Sequence, residues 1–250
     1  MLNETFYIDG VDARSVGIHL QAPIKFDRAT PVTTTQNVAG RNGDLIYYTG
    51  SYKNRSAKAR CFCLQENVEL AMSSASAFLM GKKGYRRLET SSDPNHYWMA
   101  CVENGLEIEI LGGAVAPFTV TFDCKPQRFA KDGNIPLDAI FVEGDPVVKS
   151  VFNSHSGTAK PVITIHKNQN TLAKVSIGGK EISVFEGSPL SVVIDCESQN
   201  AYSYDKQNPE NCNKYIYCED FPVFEPGENI VVAESETATH IIIEPRWWDL

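Results

Sequence analysis

Alternation of apolar and polar residues is the dominant pattern along the chain. Between Phe118 and Cys124 every second residue is apolar, and Thr119, Thr121 and Asp123 occupy the positions between them. Successive side chains of a strand point to opposite faces, so this pattern predicts strands with one buried and one solvated face, as in antiparallel sheets. Further strands are predicted at Thr5–Ile8, Ala57–Leu64, Tyr97–Val102, Leu106–Ile110, Pro161–His166, Lys174–Ile177, Glu181–Phe185, Leu190–Asp195, Lys214–Cys218 and His240–Glu244.

One segment has helical periodicity instead. From Glu66 to Met80 the apolar residues recur at intervals of three and four, which places them on one face of an α-helix. Gly81 is placed to cap the end of this helix, and Lys82 and Lys83 suit the negative end of its dipole. The pattern therefore predicts a mainly β protein with one packed helix.

A stretch rich in turn residues between Lys125 and Asp145 predicts a domain boundary. We place it so that residues 1–135 form the first domain and residues 136–250 the second. Each part has about the size of one β-sandwich, and short strands separated by turn residues are typical of sandwiches and barrels. The expected fold is thus two β-sandwich domains, the first of which carries the helix.

Charge separates the two halves as well. The net charge is −8, but residues 1–130 carry 14 basic and 13 acidic side chains, whereas residues 131–250 carry 9 and 18. This balance argues against a general nucleic-acid coat. The longest uncharged stretch, Ile110–Phe122, is too short to span a bilayer, and the acidic N-terminal segment is not that of a secretory signal.

Signatures of catalysis are absent from the sequence. It contains no phosphate-binding loop, dinucleotide fingerprint, nucleophile elbow or His-Glu-x-x-His motif, so we expect neither an enzyme nor a metal or other cofactor. Glu107 and Glu109 have the spacing of a glycosidase pair, but alternation puts them on a solvated strand face. The seven cysteines lie mostly in apolar surroundings and are expected to be reduced thiols in a protein made in the cytosol.

Four tyrosines in an acidic stretch leave two interpretations open. Tyr202, Tyr204, Tyr215 and Tyr217 could line a groove in which aromatic rings stack on a glycan. Alternatively, they belong to a hairpin and pack against one another across its strands. The exposure of their rings distinguishes the two.

The chain as a whole resembles the distal tail proteins of long-tailed, non-contractile bacteriophages. The resemblance rests on the order of several short motifs, each of which is weak alone. The long polar insert Asp205–Asn213 departs from the family pattern. The matching motifs are Phe6–Gly10, Gly40–Asp44 with Gly50–Tyr52 and Asn54, Phe122–Pro126, Pro161–Ile165, Phe221–Asn229 and Pro245–Leu250.

This resemblance implies a structural protein of the virion, located at the distal end of the tail and assembled in the host cytoplasm. The first domain, with its helix and a β-hairpin, would form a hexameric ring that continues the tail tube. The second would be a galectin-like, jelly-roll sandwich. Implied partners are the tail-tube protein and a tail-associated fibre or lysin protein, with DNA passing through the bore without specific binding. The alternative is a module that binds host polysaccharide or a receptor-binding protein.

Two segments are expected to form interfaces. Arg41, Gly43 and Tyr52 lie in one, where Asn42-Gly43 has the composition of a two-residue hairpin turn.

The other is the C-terminal segment with Arg246, Trp247 and Trp248. Because a frayed end would expose two indoles, residues 240–250 are expected to fold back on the first domain or a neighbouring subunit. The competing interpretation is that both tryptophans cap the second sandwich.

Overall fold

A computed structural model describes residues 4–63, 68–102, 105, 110–111, 114–115, 117–205 and 207–250. The chain divides into one unit of Met1–Arg128 with Leu250 and another of Phe129–Asp249. The division precedes the predicted boundary at residues 135 and 136 because the segment after Arg128 is hydrogen-bonded within the second unit. There, the amide of Ala130 donates to the carbonyl of Trp247 at 2.9 Å, and the amide of Arg246 donates to that of Gly133 at 2.7 Å.

The first unit contains one described α-helix and short strands. They are β1 (Phe6–Ile8), β2 (Val11–Asp12), β3 (Ile18–Leu20), β4 (Lys25–Phe26), β5 (Thr30–Gln36), β6 (Leu45–Lys53), β7 (Arg55–Cys63), α1 (Val68–Met80), β8 (Arg86–Thr90), β9 (Asp93–Cys101), β10 (Ile110–Leu111), β11 (Ala114–Val115) and β12 (Phe118–Cys124). A 3-10 turn covers Ala13–Val16.

The main sheet of this unit has the strand order β2-β1-β8-β9-β12-β7-β3, with β4 also paired to β7. Strand β12 is the predicted Phe118–Cys124, and its four apolar side chains are buried as the alternation requires. Ala71, Ala75 and Leu79 of α1 pack into the same core cluster. Small residues at two of these helix positions let the helix approach the sheet closely.

The second unit contains short strands and two 3-10 turns, Asp132–Asn134 and Asn213–Tyr215. Its strands are β13 (Arg128–Ala130, which begins one residue earlier), β14 (Ile140–Val142), β15 (Val147–Asn153), β16 (Val162–Lys167), β17 (Ala173–Ile177), β18 (Lys180–Val184), β19 (Ser191–Asp195), β20 (Asn200–Ser203), β21 (Ile216–Tyr217), β22 (Gly227–Ser235), β23 (Thr239–Glu244) and β24 (Trp248–Asp249).

Two five-stranded antiparallel sheets form the body of this unit, in the orders β14-β23-β16-β19-β20 and β15-β22-β17-β18-β21. Both contribute to one core cluster, which includes Ile163 and Ile241 from the first sheet and Val175 and Val231 from the second. A sandwich results, because each sheet buries one face against the other.

The mainly β fold with sandwich architecture is confirmed. The helix prediction agrees with α1 over Val68–Met80, whereas residues 66 and 67 lie outside the described part. Gly81 continues the helical hydrogen bonding to the Ala77 carbonyl at 2.9 Å, and the glycine with positive φ is Gly84, at +85°. Most of the expected strand 106–110, with Glu107 and Glu109, lies outside the described residues. No described helix is long and apolar enough to cross a membrane.

Candidate functional site

Strands β5 and β6 form a long hairpin that stands apart from the core of the first unit. They pair only with each other among the described strands, in an antiparallel register that runs from Thr30 opposite Lys53 to Gln36 opposite Leu45. No residue of the hairpin belongs to either core cluster as far as the structure describes them. The hairpin therefore leaves both of its faces available to other molecules.

One face of the hairpin carries three large apolar or aromatic side chains between threonines. The register sets Tyr48 opposite Thr33, Ile46 opposite Thr35 and Tyr52 opposite Pro31. The side chains at 46 and 48 are 55% and 70% exposed. Lys53 is the one side chain in the two strands that is charged at neutral pH. We name this set, Pro31, Thr33, Thr35, Ile46, Tyr48 and Tyr52, the hairpin face.

The turn of the hairpin differs from the predicted one. The last register pair joins Gln36 to Leu45, so residues 37–44 all lie in the connection, and Asn42-Gly43 is not a two-residue turn. Gly43 does have the expected positive φ, at +80°, but Asn42 does not. Two hydrogen bonds hold the wider turn. The side-chain amide of Asn37 donates to the Asp44 carboxylate at 3.1 Å, and the backbone amide of Arg41 donates to the Val38 carbonyl at 3.1 Å.

Of the residues expected at an interface here, Arg41 and Gly43 lie in the exposed turn and Tyr52 at the base of the hairpin face. Sequence reasoning missed Ile46 and Tyr48, which are the most exposed large apolar side chains of that face. The alternation of Ile46, Tyr48 and Tyr52 across Gly50 is the signal that could have identified them.

At the C-terminus, the residues up to Asp249 belong to the second unit, and Leu250 is grouped with the first. Thr239–Glu244 is the strand between β14 and β16, inside a sheet of the second unit. Trp247 is 7% exposed, belongs to the core cluster of that unit and meets Phe224 edge-on at 5.1 Å between ring centroids. Trp248 packs against the same cluster, and its Nε1 donates to the Thr158 carbonyl at 3.0 Å. Apolar burial within the second unit therefore anchors both indoles.

Arg246 lies between strand β23 and these indoles with a positive φ of +59°. Its guanidinium donates two hydrogen bonds to the carboxylate of Asp195, at 2.7 and 3.2 Å. Burial alone would raise the pKa of Asp195, but this pair and the amides of Ser198 and Glu197 outweigh it and lower that pKa. Arg246 therefore fastens the tail to strand β19.

The four tyrosines of the acidic stretch do not form one hairpin. Tyr202 lies on β20, which pairs with β19, and Tyr217 lies on β21, which pairs with β18 of the other sheet. Tyr204 and Tyr217 are exposed, whereas Tyr202 and Tyr215 are partly buried. Cys212 lies beside β20 instead, since its amide donates to the Ala201 carbonyl at 2.8 Å.

A row of rings crosses the first sheet of the second unit. Phe141 on β14 stacks on His240 on β23, with centroids 4.4 Å apart and planes within 4°. His166 on β16 follows at 6.0 Å from His240, and Tyr204 meets it edge-on at 5.0 Å. The row borders a groove of about 450 Å³ that Asn168 also lines. Phe141 is 71% exposed, so this groove offers an aromatic surface to solvent.

Reactive groups are scarce in the described part of the chain. No cluster of three or more His, Cys, Asp or Glu side chains there could hold a metal ion. None of the seven cysteines forms a disulfide bond, and burial raises the pKa of Cys61, Cys124 and Cys196 to about 12. Such thiols are weak nucleophiles, because the reactive species is the thiolate.

The comparisons with known proteins agree with this picture. Residues 11–124 match the phage tail protein RIFT-related domain family. The hairpin and α1 both lie within this match, so the similarity to this family covers the part of the first unit that carries them.

Among solved structures, the Dit protein of phage SPP1, described as a paradigm of the hub adsorption apparatus in phages infecting Gram-positive bacteria, matches with a TM-score of 0.71. The sequences are 14% identical, and the match covers 97% of this chain and 98% of that one. The chain thus has the Dit fold, and its resemblance to the distal tail proteins is confirmed.

Two structures of the phage P2 baseplate in its activated conformation also match, with calcium in one and strontium in the other. The TM-scores are 0.51 and 0.52, both at 11% identity. The matches cover 97% and 96% of this chain, and 98% and 97% of the baseplate chains. No curated protein sequence matches.

Proposed function

We propose that this chain is the subunit of a hexameric ring at the distal end of a phage tail, and that the hairpin face carries the contact between subunits. The exposed hairpin is the observation that supports this most directly. A two-stranded hairpin is marginally stable alone in water, and an exposed apolar face marks an interaction site. A neighbouring subunit that covers the hairpin face would stabilise the two strands and remove their apolar side chains from water.

A ring that forms this way has the same contact at every subunit. The hairpin face and the surface that receives it are different patches, so the contact is heterologous and closes when six subunits complete the rotation. The near absence of charge on the two strands favours such a contact, since no like charges need to be brought together. In this ring the bore passes DNA without specific binding, and the subunits have a structural and not an enzymatic role.

The two ring faces would join the tail-tube protein on one side and a tail-associated fibre or lysin protein on the other. A receptor-binding protein is a further partner of the second unit. These partners are proposed on the match to hub and baseplate proteins, which are parts of such assemblies.

The mass of the purified full chain tests the ring. For a 27.7 kDa chain, we expect a species of six times this mass at high concentration. Tyr48→Ser should shift the population towards the monomer. Tyr217→Ser removes a similarly exposed tyrosine, 58% against 70%, from the second unit and should leave assembly unchanged. A monomeric wild type, or equal behaviour of the two variants, contradicts the proposal.

Glycan binding by the second unit is the other candidate function. The row of aromatic side chains that begins at Phe141 is the observation that favours it. Exposed aromatic rings beside amide and imidazole groups are the surface on which neutral sugars stack. Binding of the full chain to an array of bacterial wall polysaccharides tests this. Phe141→Ala should abolish a signal that Phe152→Ala, which removes an equally exposed phenylalanine from the other sheet, retains. An array without signal removes this candidate.

A further inference from the structure

Arg55 is a buried cation, and two of its guanidinium nitrogens have no hydrogen-bonding partner among the described residues. It is the first residue of β7, lies opposite Cys124 in the register and is only 6% exposed. Its Nε and Nη2 are enclosed, and neither has a hydrogen-bond partner among the described residues. Removing a guanidinium from water is costly unless an anion or several acceptors replace the water. A side chain in this state calls for a partner outside the part of the chain that the structure describes.

Trp98 compensates for only part of this cost. The guanidinium carbon of Arg55 lies 5.7 Å from the centroid of the indole ring, and Phe26 stacks on the same indole at 4.2 Å. A cation–π contact at this distance is favourable but does not satisfy N–H donors. The aromatic pair therefore contacts the guanidinium but leaves Nε and Nη2 without a hydrogen-bond acceptor.

The surroundings of Arg55 are positive. Burial is the main cause that lowers its pKa, and the charges of Arg128 and Arg28 lower it further. Arg128 already has a partner, since it donates to the Asp93 carboxylate at 2.8 Å. Arg28 is exposed and forms no ion pair within the described residues. One unpaired buried and one unpaired exposed arginine thus lie near each other.

Both of these arginines lie at the base of the hairpin. One residue separates Arg28 from the start of β5, and one residue separates Arg55 from the end of β6. The positive site is therefore adjacent to the surface that carries subunit contacts in the proposed ring. A guanidinium presents its donors in a planar fork that matches the two oxygens of a carboxylate.

We propose that Arg55, with Arg28 beside it, is a binding site for a carboxylate, and that a neighbouring copy of this chain supplies that carboxylate in the ring. That a second copy supplies the carboxylate rests on the proposed ring. The affinity of Arg55 for an oxyanion does not depend on the ring. The second half of the chain has an excess of acidic residues, and each of them carries such a carboxylate. A free oxyanion such as phosphate offers the same chemistry and serves as the probe.

The first experiment measures the melting temperature of the full chain at a concentration where it is monomeric, with inorganic phosphate added against chloride at equal ionic strength. We expect phosphate to raise the melting temperature of the wild type and of Arg60→Met, an exposed arginine of the same strand. Arg55→Met should not respond, and Arg55→Lys should respond weakly. No response of the wild type overturns the site.

The stability of the variant without phosphate separates binding from a structural role. Because methionine replaces a buried unpaired charge by an apolar side chain of similar length, Arg55→Met should melt at or above the wild-type temperature. A clearly lower melting temperature would mean that Arg55 exists to support Trp98, and it would overturn the proposal.

The second experiment measures the mass of the same variants over a range of concentrations. Removing one partner of a buried charge pair weakens association at least about tenfold, so Arg55→Met should assemble at correspondingly higher concentration than Arg60→Met. If phosphate stabilises the wild type but Arg55→Met and Arg60→Met assemble alike, a second copy does not supply the carboxylate that binds Arg55. If the wild type never assembles, the ring is wrong, and the phosphate experiment alone decides the site.

Discussion

The indole of Trp248 lies directly against the backbone of Gly157. A Cβ atom at position 157 would come within 2.3 Å of Cδ2 and Cε2 of the ring, and the Gly157 amide donates to the Trp248 carbonyl at 3.0 Å. Glycine is therefore required here by close packing, since the φ angle is not in the left-handed region. This contact fixes the end of the chain on the second sandwich.

Gly157→Ala should consequently destabilise the protein by about 1–3 kcal/mol, the usual cost of overpacking. Denaturant unfolding of the full chain, followed by tryptophan fluorescence, measures this. In the background of Trp248→Ala, where the clash is absent, the same substitution should cost little, and the two changes should be strongly non-additive. Additive effects would show that the indole is not what excludes the methyl group.

Trp247→Ala should cost more, about 3–5 kcal/mol, because the ring fills the core between the two sheets. Deletion of residues 245–250 should have at least this effect, since it also removes the pair between Arg246 and Asp195. Melting of the full chain in its monomeric form is the measurement. If the deletion leaves the melting temperature unchanged but abolishes assembly, the tail belongs to an interface and not to the core of the second unit.

Acid should weaken the second unit through Asp195. Its pKa in the folded chain lies below the ordinary value of 3.8, so the pair with Arg246 contributes stability that is present above that pH and is lost as pH falls through the folded pKa. Urea unfolding from pH 6 to pH 2 should show a loss on the order of 1 kcal/mol that Asp195→Asn lacks. Asp44→Asn, an exposed turn residue, is the control and should keep the wild-type slope.

Gly43→Val tests the hairpin turn. The position has φ +80° and open space around it, so the substitution strains the backbone by about 1–2 kcal/mol without a steric clash. Because the hairpin is not in the core, we expect weaker assembly and a nearly unchanged melting temperature.

Gly179→Val is the matched control for the turn, with φ +84° and equally open space in the connection between β17 and β18. It should lower the melting temperature and leave assembly intact. The reverse pattern would place the assembly contact outside the hairpin.

Local periodicity was enough to predict several elements of this protein, although it missed both strands of the hairpin and β22. Strand β12 agrees residue for residue with the alternation over Phe118–Cys124, and α1 agrees with the helical spacing that ends at Met80. These predictions succeed because the face that a side chain takes depends only on the positions of its near neighbours in the chain. The mainly β class follows from the same information.

Pairing between distant segments was decided by the tertiary structure alone. Tyr202 and Tyr217 are only a short loop apart in sequence, yet they belong to different sheets, and Asn42-Gly43 sits in an eight-residue connection in spite of its composition. Trp247 fills the core of its own unit, and Nε and Nη2 of Arg55 are enclosed without a hydrogen-bond partner in the described part of the chain. The type of each residue favours the interior, the surface or a turn. Its actual burial depends on which strands pair, and strand pairing is decided by the packing of the whole chain.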